Sequence, residues 1–170
     1  MPQIIIIRHA KSDWSSFNSD FDRGLNERGY KSCKIISREL KKRINIPDKY
    51  LVSPAKRAQL THEEIFFSWH KQHDIHKLTT NEDKLYGGPL NNILESIKIN
   101  FSNIETGVVI GHNPILNELL HYLSFKNKKL LPYNLVTTAC VIIEYYNNKY
   151  IVSNFQDGAV KEYIFPKQFL

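Results

Sequence analysis

Hydrophobic positions alternate between short runs and helical stripes along the 170 residues. The first run is Ile4-Ile5-Ile6-Ile7, four β-branched residues in succession. Such a run is stiff at χ1, favours an extended chain and calls for burial on both faces, so it predicts a buried strand. A polar burst follows, Arg8-His9-Ala10-Lys11-Ser12. The stretch from Asp13 to Gly24 is polar with scattered aromatics and predicts a loop. Tyr30, Cys33, Ile36, Leu40 and Ile44 then recur at spacings of three and four and predict a helix. Lys41-Lys42-Arg43 falls in its last turn, where positive charge suits the helix dipole.

The same alternation continues. Tyr50-Leu51-Val52-Ser53 predicts a second strand, and Ser53-Pro54 predicts a helix start with serine as N-cap and proline at N1. Ala58, Thr61, Ile65 and Trp69 supply that helix's buried face. Leu78-Thr79-Thr80 predicts a short third strand, and Pro89 opens a helix with Leu90, Ile93, Leu94, Ile97 and Phe101 on one side. Gly107 to Gly111 predicts another buried strand, after which His112 leads to Asn113 as N-cap and Pro114 as N1 of a helix carrying Ile115, Leu116, Leu119, Leu120 and Leu123. Val136 to Tyr146 is strand-like, Asn147-Asn148 predicts a hairpin turn, and Lys149 to Phe155 is the expected partner strand. From Gln156 onward the pattern is irregular.

Strands alternating with helices from residue 4 to residue 124 predict an α/β fold. The expectation is a three-layer α/β/α architecture, its sheet mostly parallel with at least one antiparallel strand, in a single domain spanning 1–170. In such folds ligands bind beyond the carboxyl ends of the strands. Arg8, His9, Arg57 and His112 all fall at strand-to-helix transitions, so the fold gathers two arginines and two histidines at one edge.

Composition narrows the setting. No apolar run approaches the roughly 20 residues that span a bilayer, and no basic segment precedes the isoleucine run as in a secretory signal. Two cysteines, Cys33 and Cys140, are too few for a disulfide framework and suit the cytoplasm. The net charge of +6 attracts anions, but no aromatic-basic motif points to nucleic acid. No glycine-rich phosphate loop or dinucleotide fingerprint competes for an anion. His70, His73 and His76 are spaced by three, but no second ligand cluster completes a metal site, and neither metal nor organic cofactor is expected.

The chemistry of the four transition residues is specific in kind. A guanidinium grips two phosphate oxygens at once, and an imidazole beside it can attack phosphorus. Three stretches carry a resemblance: Arg8-His9-Ala10-Lys11-Ser12-Asp13-Trp14, Ser53-Pro54-Ala55-Lys56-Arg57-Ala58-Gln59-Leu60-Thr61, and Val109-Ile110-Gly111-His112-Asn113-Pro114. Together they resemble the histidine phosphatase superfamily, and most of all its small phosphohistidine phosphatases of the SixA type. Asp22 to Gly29 is similar to the segment that opens the first helix in that family. The resemblance implies a phosphoglycerate-mutase-like fold. It implies His9 as nucleophile, Arg8 and Arg57 as phosphate ligands and His112 as a hydrogen-bond donor to the phosphoryl oxygens. Ser12 and Arg23 join the expected substrate contacts, while Arg28 decorates the helix entrance.

A general acid is less clear. Many members place a glutamate before an aromatic-glycine pair. Here Asp83 has that spacing ahead of Tyr86-Gly87, and Glu82 is one residue away. The SixA branch usually has no clear acid there. The P–N bond of phosphohistidine breaks with little help, whereas an alkoxide leaving group needs a proton. The expected function is therefore a phosphohistidine phosphatase acting on a phosphohistidine-bearing protein and releasing phosphate. The alternatives are a small-molecule phosphomonoesterase using Asp83 or Glu82, and a non-catalytic phosphate-binding module.

Overall fold

The structure is a computed structural model that describes residues 1–70, 75–146 and 149–170. Among the described residues, six strands form one sheet: β1 (Gln3–Arg8), β2 (Lys49–Val52), β3 (Thr79–Asn81), β4 (Thr106–Gly111), β5 (Cys140–Glu144) and β6 (Ala159–Ile164). Their order is β3-β2-β4-β1-β5-β6. The pairs β2/β3, β2/β4 and β1/β4 are parallel, and β5 runs antiparallel to both β1 and β6.

The helices are α1 (Glu27–Lys41), α2 (Lys56–Phe66), α3 (Ile75–Leu78), α4 (Lys84–Gly87), α5 (Leu90–Asn100) and α6 (Ile115–Leu123). The isoleucine run explains the layering. Side chains alternate along a strand, so Ile5 and Ile7 pack with Cys33, Ile36, Leu40, Ala58 and Ile65 from α1 and α2. Ile4 and Ile6 pack with Ile93, Ile97, Leu116 and Leu119 from α5 and α6. All four isoleucines are completely buried, each worth roughly 1.5–3 kcal/mol of transfer free energy. The result is the expected three-layer α/β/α arrangement with a mostly parallel sheet.

Five local expectations need correction. Helix α2 begins at Lys56 with Ala55 as N-cap, not at Ser53-Pro54; the Ser53 hydroxyl is taken up by His112 instead. Helix α6 begins at Ile115 with Pro114 as cap, because the Asn113 amide is turned away to Asn134 and Leu135. Strand β5 is shorter than the apolar run from Val136. Its partner is β6, not Lys149–Phe155, and the segment from Gln156 is not irregular throughout.

Instead of a strand, Ile151–Ser153 and Phe155–Asp157 form 3-10 turns. Ile151 is completely buried in the core cluster that includes residues of α5 and α6. Gly158 then leads into β6 at a point where a Cβ would lie 2.6 Å from both the Ile143 side chain and the Leu123 carbonyl. The turn expected at Asn147-Asn148, and His73 of the histidine triplet, lie outside the described residues.

Candidate active site

The strand register builds the site. Arg8 on β1 pairs with Gly111 on β4, so the next residue on each strand is a histidine, His9 and His112. Their ring centroids are 4.8 Å apart. The His9 N–H donates to the Gly111 carbonyl at 3.0 Å and the Arg8 N–H to the Ala139 carbonyl at 3.1 Å. Thr138 closes this end of the strand: its N–H lies 3.1 Å from the Arg8 carbonyl and 3.2 Å from the His9 carbonyl. It does so at φ 63°, a left-handed conformation that strains a β-branched residue.

His9 is buried, and its Nδ1 lies 2.8 Å from its neighbour's carbonyl, Ala10 O. A carbonyl can only accept, so Nδ1 carries the hydrogen and Nε2 keeps its lone pair. The Ala10 N–H is fixed in turn by the Thr61 hydroxyl at 2.9 Å, from α2. Burial pushes the His9 imidazole down to about 4; the Ala10 hydrogen bond opposes this, and the Arg57 and Arg8 charges reinforce it. His112 is likewise buried and pushed down to about 3, by burial first and then by His9 and Arg57. Both rings are therefore neutral at pH 7.

Arg57 stands in the first turn of α2 and reaches across to the loop before α1. Its Nη1 donates to the Asp20 carbonyl and its Nη2 to Asp20 Oδ2 at 3.0 Å. The Tyr86 hydroxyl donates to the same Oδ2 at 2.9 Å. Arg23 lies 3.8 Å from Asp20 Oδ1 and stacks on Trp14 at 3.5 Å. The Tyr86 ring meets His112 edge-on, with centroids 5.5 Å apart. The Tyr86 hydrogen bond first, and then Arg57, hold the Asp20 carboxyl below the usual range against a burial effect of opposite sign.

Arg8 is tied through Nη1 to the Leu135 carbonyl at 2.7 Å. Among the described residues, Arg8 Nε, Arg23 Nε and Nη1, and His112 Nδ1 are buried without a hydrogen-bond partner. Such groups are costly to leave unsatisfied.

The remaining expected residues divide. Ser12 is buried, pairs by a backbone bridge with Leu25, and accepts the Asn26 amide on its carbonyl. Glu82 is buried with Oε2 accepting the Ser96 hydroxyl on α5 and Oε1 accepting the Lys84 N–H at 3.1 Å. Burial raises its carboxyl, but the Ser96 and Lys84 hydrogen bonds outweigh this and hold it low. Asp83 is exposed at the start of α4 and makes no capping bond.

Asp20, Tyr86, Ser53 and Thr138 had no assigned place in the site. For Tyr86 a signal existed, the aromatic-glycine pair. The others carry none, because their partners lie far away in the chain.

This is an α/β protein with a histidine pair and two arginines at the carboxyl edge of its sheet. The family model described as histidine phosphatase superfamily (branch 1) matches residues 4–78. Among curated proteins, the Uncharacterized protein Rv1276c of Mycobacterium tuberculosis is 28% identical over 113 residues. That match spans 66% of this chain and 66% of the relative, just under two thirds of its length.

Two solved structures share the fold across nearly the whole chain. A candidate phosphohistidine phosphatase SixA from Agrobacterium tumefaciens has a TM-score of 0.76 at 23% identity, covering 97% of this chain and 98% of that one. A protein histidine phosphatase SixA complexed with tungstate has a TM-score of 0.80 at 19% identity, covering 99% of each.

Proposed function

We propose that this protein is a phosphohistidine phosphatase that works through a phosphohistidine intermediate on His9. The observation that carries the reading is the fixed tautomer of His9: Nδ1–H is spent on Ala10, leaving an unprotonated Nε2 beside two guanidinium groups. Arg8 and Arg57 neutralise the phosphoryl oxygens, and His112 donates to them as charge develops. The Nε2 lone pair forms the new P–N bond while the substrate's P–N bond breaks and its imidazole takes a proton from solvent. Water then cleaves the phosphoryl group from His9 and releases phosphate.

Two further features support the reading. The unpaired donors on Arg8, Arg23 and His112 suit an incoming oxyanion, and tungstate, found in a structure of the same fold, is a tetrahedral dianion like phosphate. Glu82 is engaged as a carboxylate with Ser96, so a firm proton donor for an ester leaving group is missing from the expected positions. The substrate is then a phosphohistidine-bearing protein rather than a small phosphate ester. Cys33 and Cys140 are free and buried, which suits the cytoplasm, and no described helix is long and apolar enough to cross a membrane.

The test compares initial rates on a phosphohistidine-bearing protein and on simple phosphate esters, with acid-labile label on the enzyme as a second readout. Faster phosphohistidine turnover, lost together with the label in His9→Ala, is expected. Substantial activity in His9→Ala overturns the mechanism, and faster ester hydrolysis overturns the substrate.

A further inference from the structure

The slot expected to grip the phosphoryl group already holds an anion belonging to the chain itself. The Asp20 carboxylate sits on Arg57 Nη2 and accepts the Tyr86 hydroxyl, with Arg23 3.8 Å away. We propose that Asp20 is an intramolecular competitor for this slot: it yields Arg57 to the arriving phosphoryl group and returns to displace the phosphate product. This rests on the reading of Arg57 as a phosphoryl ligand.

The geometry suits an exchange. Asp20 is 52% exposed at its side chain, so its bonds to Arg57 and Tyr86 are screened and individually weak. A phosphoryl dianion brings more charge and more oxygens, and it can satisfy donors that Asp20 does not reach, such as the buried Arg8 Nε and His112 Nδ1. The swap leaves the surrounding structure in place. Arg57 keeps its Nη1 on the Asp20 backbone carbonyl, and only its Nη2 changes partner.

The loop has a separate anchor. The Phe21 carbonyl accepts the Lys56 N–H at 3.0 Å, and the Phe21 ring packs edge-on against Tyr86. Rotation of the Asp20 side chain alone then clears the guanidinium. A tethered carboxylate of this kind weakens every anion in the slot, and the benefit falls on the last step. Phosphate is the product, and a site built to bind phosphoryl oxygens would otherwise hold it.

The test measures binding of sodium tungstate and inorganic phosphate by calorimetry, independently of turnover. Wild type is compared with Asp20→Asn, Asp20→Ala, Arg57→Ala and Asp22→Asn. Asp22 is a carboxylate on the same loop that is bonded to Ser19 and serves as the control for net charge. Asp20→Asn and Asp20→Ala should each bind both anions about fivefold or more tightly, and their turnover should become more sensitive to added phosphate. Asp22→Asn should change little.

Equal gains in Asp20→Asn and Asp22→Asn would reduce the effect to net charge and overturn the proposal, as would unchanged or weaker binding in both Asp20 variants. Loss of binding in Arg57→Ala without any gain from the Asp20 variants leaves the phosphate reading intact and refutes the competitor alone. Normal binding in Arg57→Ala refutes the reading of the slot itself. Asp20→Asn keeps the shape of the side chain, so it reports even if Asp20→Ala disturbs the loop.

Discussion

The hydroxyl of Ser53 stands 2.8 Å from Nε2 of His112, across fifty-nine residues of chain. Parallel pairing of β2 with β4 brings them together, since Val52 is level with Ile110. With Nδ1 of His112 unpaired, this bond sets how the ring is turned. When Ser53 donates to Nε2, Nδ1 carries the hydrogen and becomes a donor for a phosphoryl oxygen. Ser53→Ala should therefore release the ring and reduce kcat by about tenfold, the worth of one ordinary hydrogen bond. Steady-state kinetics on phosphohistidine check this. A normal kcat with a lowered melting temperature would make Ser53 purely structural.

The pH profile follows from the depressed histidines. As the proposed nucleophile His9 must be neutral to attack, and its pKa is pushed down to about 4. Activity should thus hold steady as pH falls through 6.5, the ordinary imidazole value, and decline only as pH approaches about 4. A stopped assay of kcat between pH 4 and 8 reads this directly. An acid limb centred near 6.5 would contradict a buried, arginine-flanked nucleophile.

Much of this was legible in the chain, for identifiable reasons. The Ile4–Ile7 run can only be satisfied between two layers, and polar residues directly after a buried strand must emerge at its end. That logic located Arg8, His9 and His112 without tertiary information. Ser53 was misjudged because a serine before a proline satisfies helix-capping rules, whereas the competing demand of His112 is not visible locally. The Lys149 to Phe155 hairpin partner is misleading because the short β-prone run Tyr150-Ile151-Val152 follows a turn-like Asn-Asn pair, while the core's demand for Ile151 is a long-range effect. Asp20 and Tyr86 meet across sixty-six positions, and neither lies in a periodic segment, so local patterning had no means of pairing them.

Acid lability should come from three imidazoles held neutral. His62 packs against the Tyr50 and Phe66 rings, and burial pushes it down to about 3; His9 and His112 behave alike. Each folded-state value lies below the unfolded one, so the unfolded chain binds more protons as pH falls below about 6.5. Stability is then lost at about 1.4 kcal/mol per pH unit for each histidine. The loss ends near pH 4 for His9 and near pH 3 for the other two. Between pH 6.5 and 5 most carboxylates are still ionised, so the histidines dominate this window. Urea unfolding of wild type and His62→Leu at pH 7 and pH 5 isolates one contribution. The variant should lose about a third less stability than wild type on acidification, and an identical loss would mean that His62 takes up no proton on unfolding.

The choice of substrate turns on Glu82. Its two oxygens are occupied, one by the Ser96 hydroxyl and the other by the Lys84 N–H, and these bonds hold it ionised. It therefore joins α5 to the end of β3, and an ionised carboxyl has no proton to give. Glu82→Ala leaves a buried hydroxyl and a backbone N–H without their acceptor, which should cost about 1–3 kcal/mol of stability. Turnover of phosphohistidine should stay within a few-fold of wild type, measured at a temperature where the variant is folded. Asp83→Ala, at an exposed position, should leave both quantities nearly unchanged. A lost general acid looks different: a drop of about 10²–10⁴-fold. If either variant shows that drop on phosphohistidine while still folded, a carboxylic acid does serve the leaving group. A phosphate ester would then be the better match to the site.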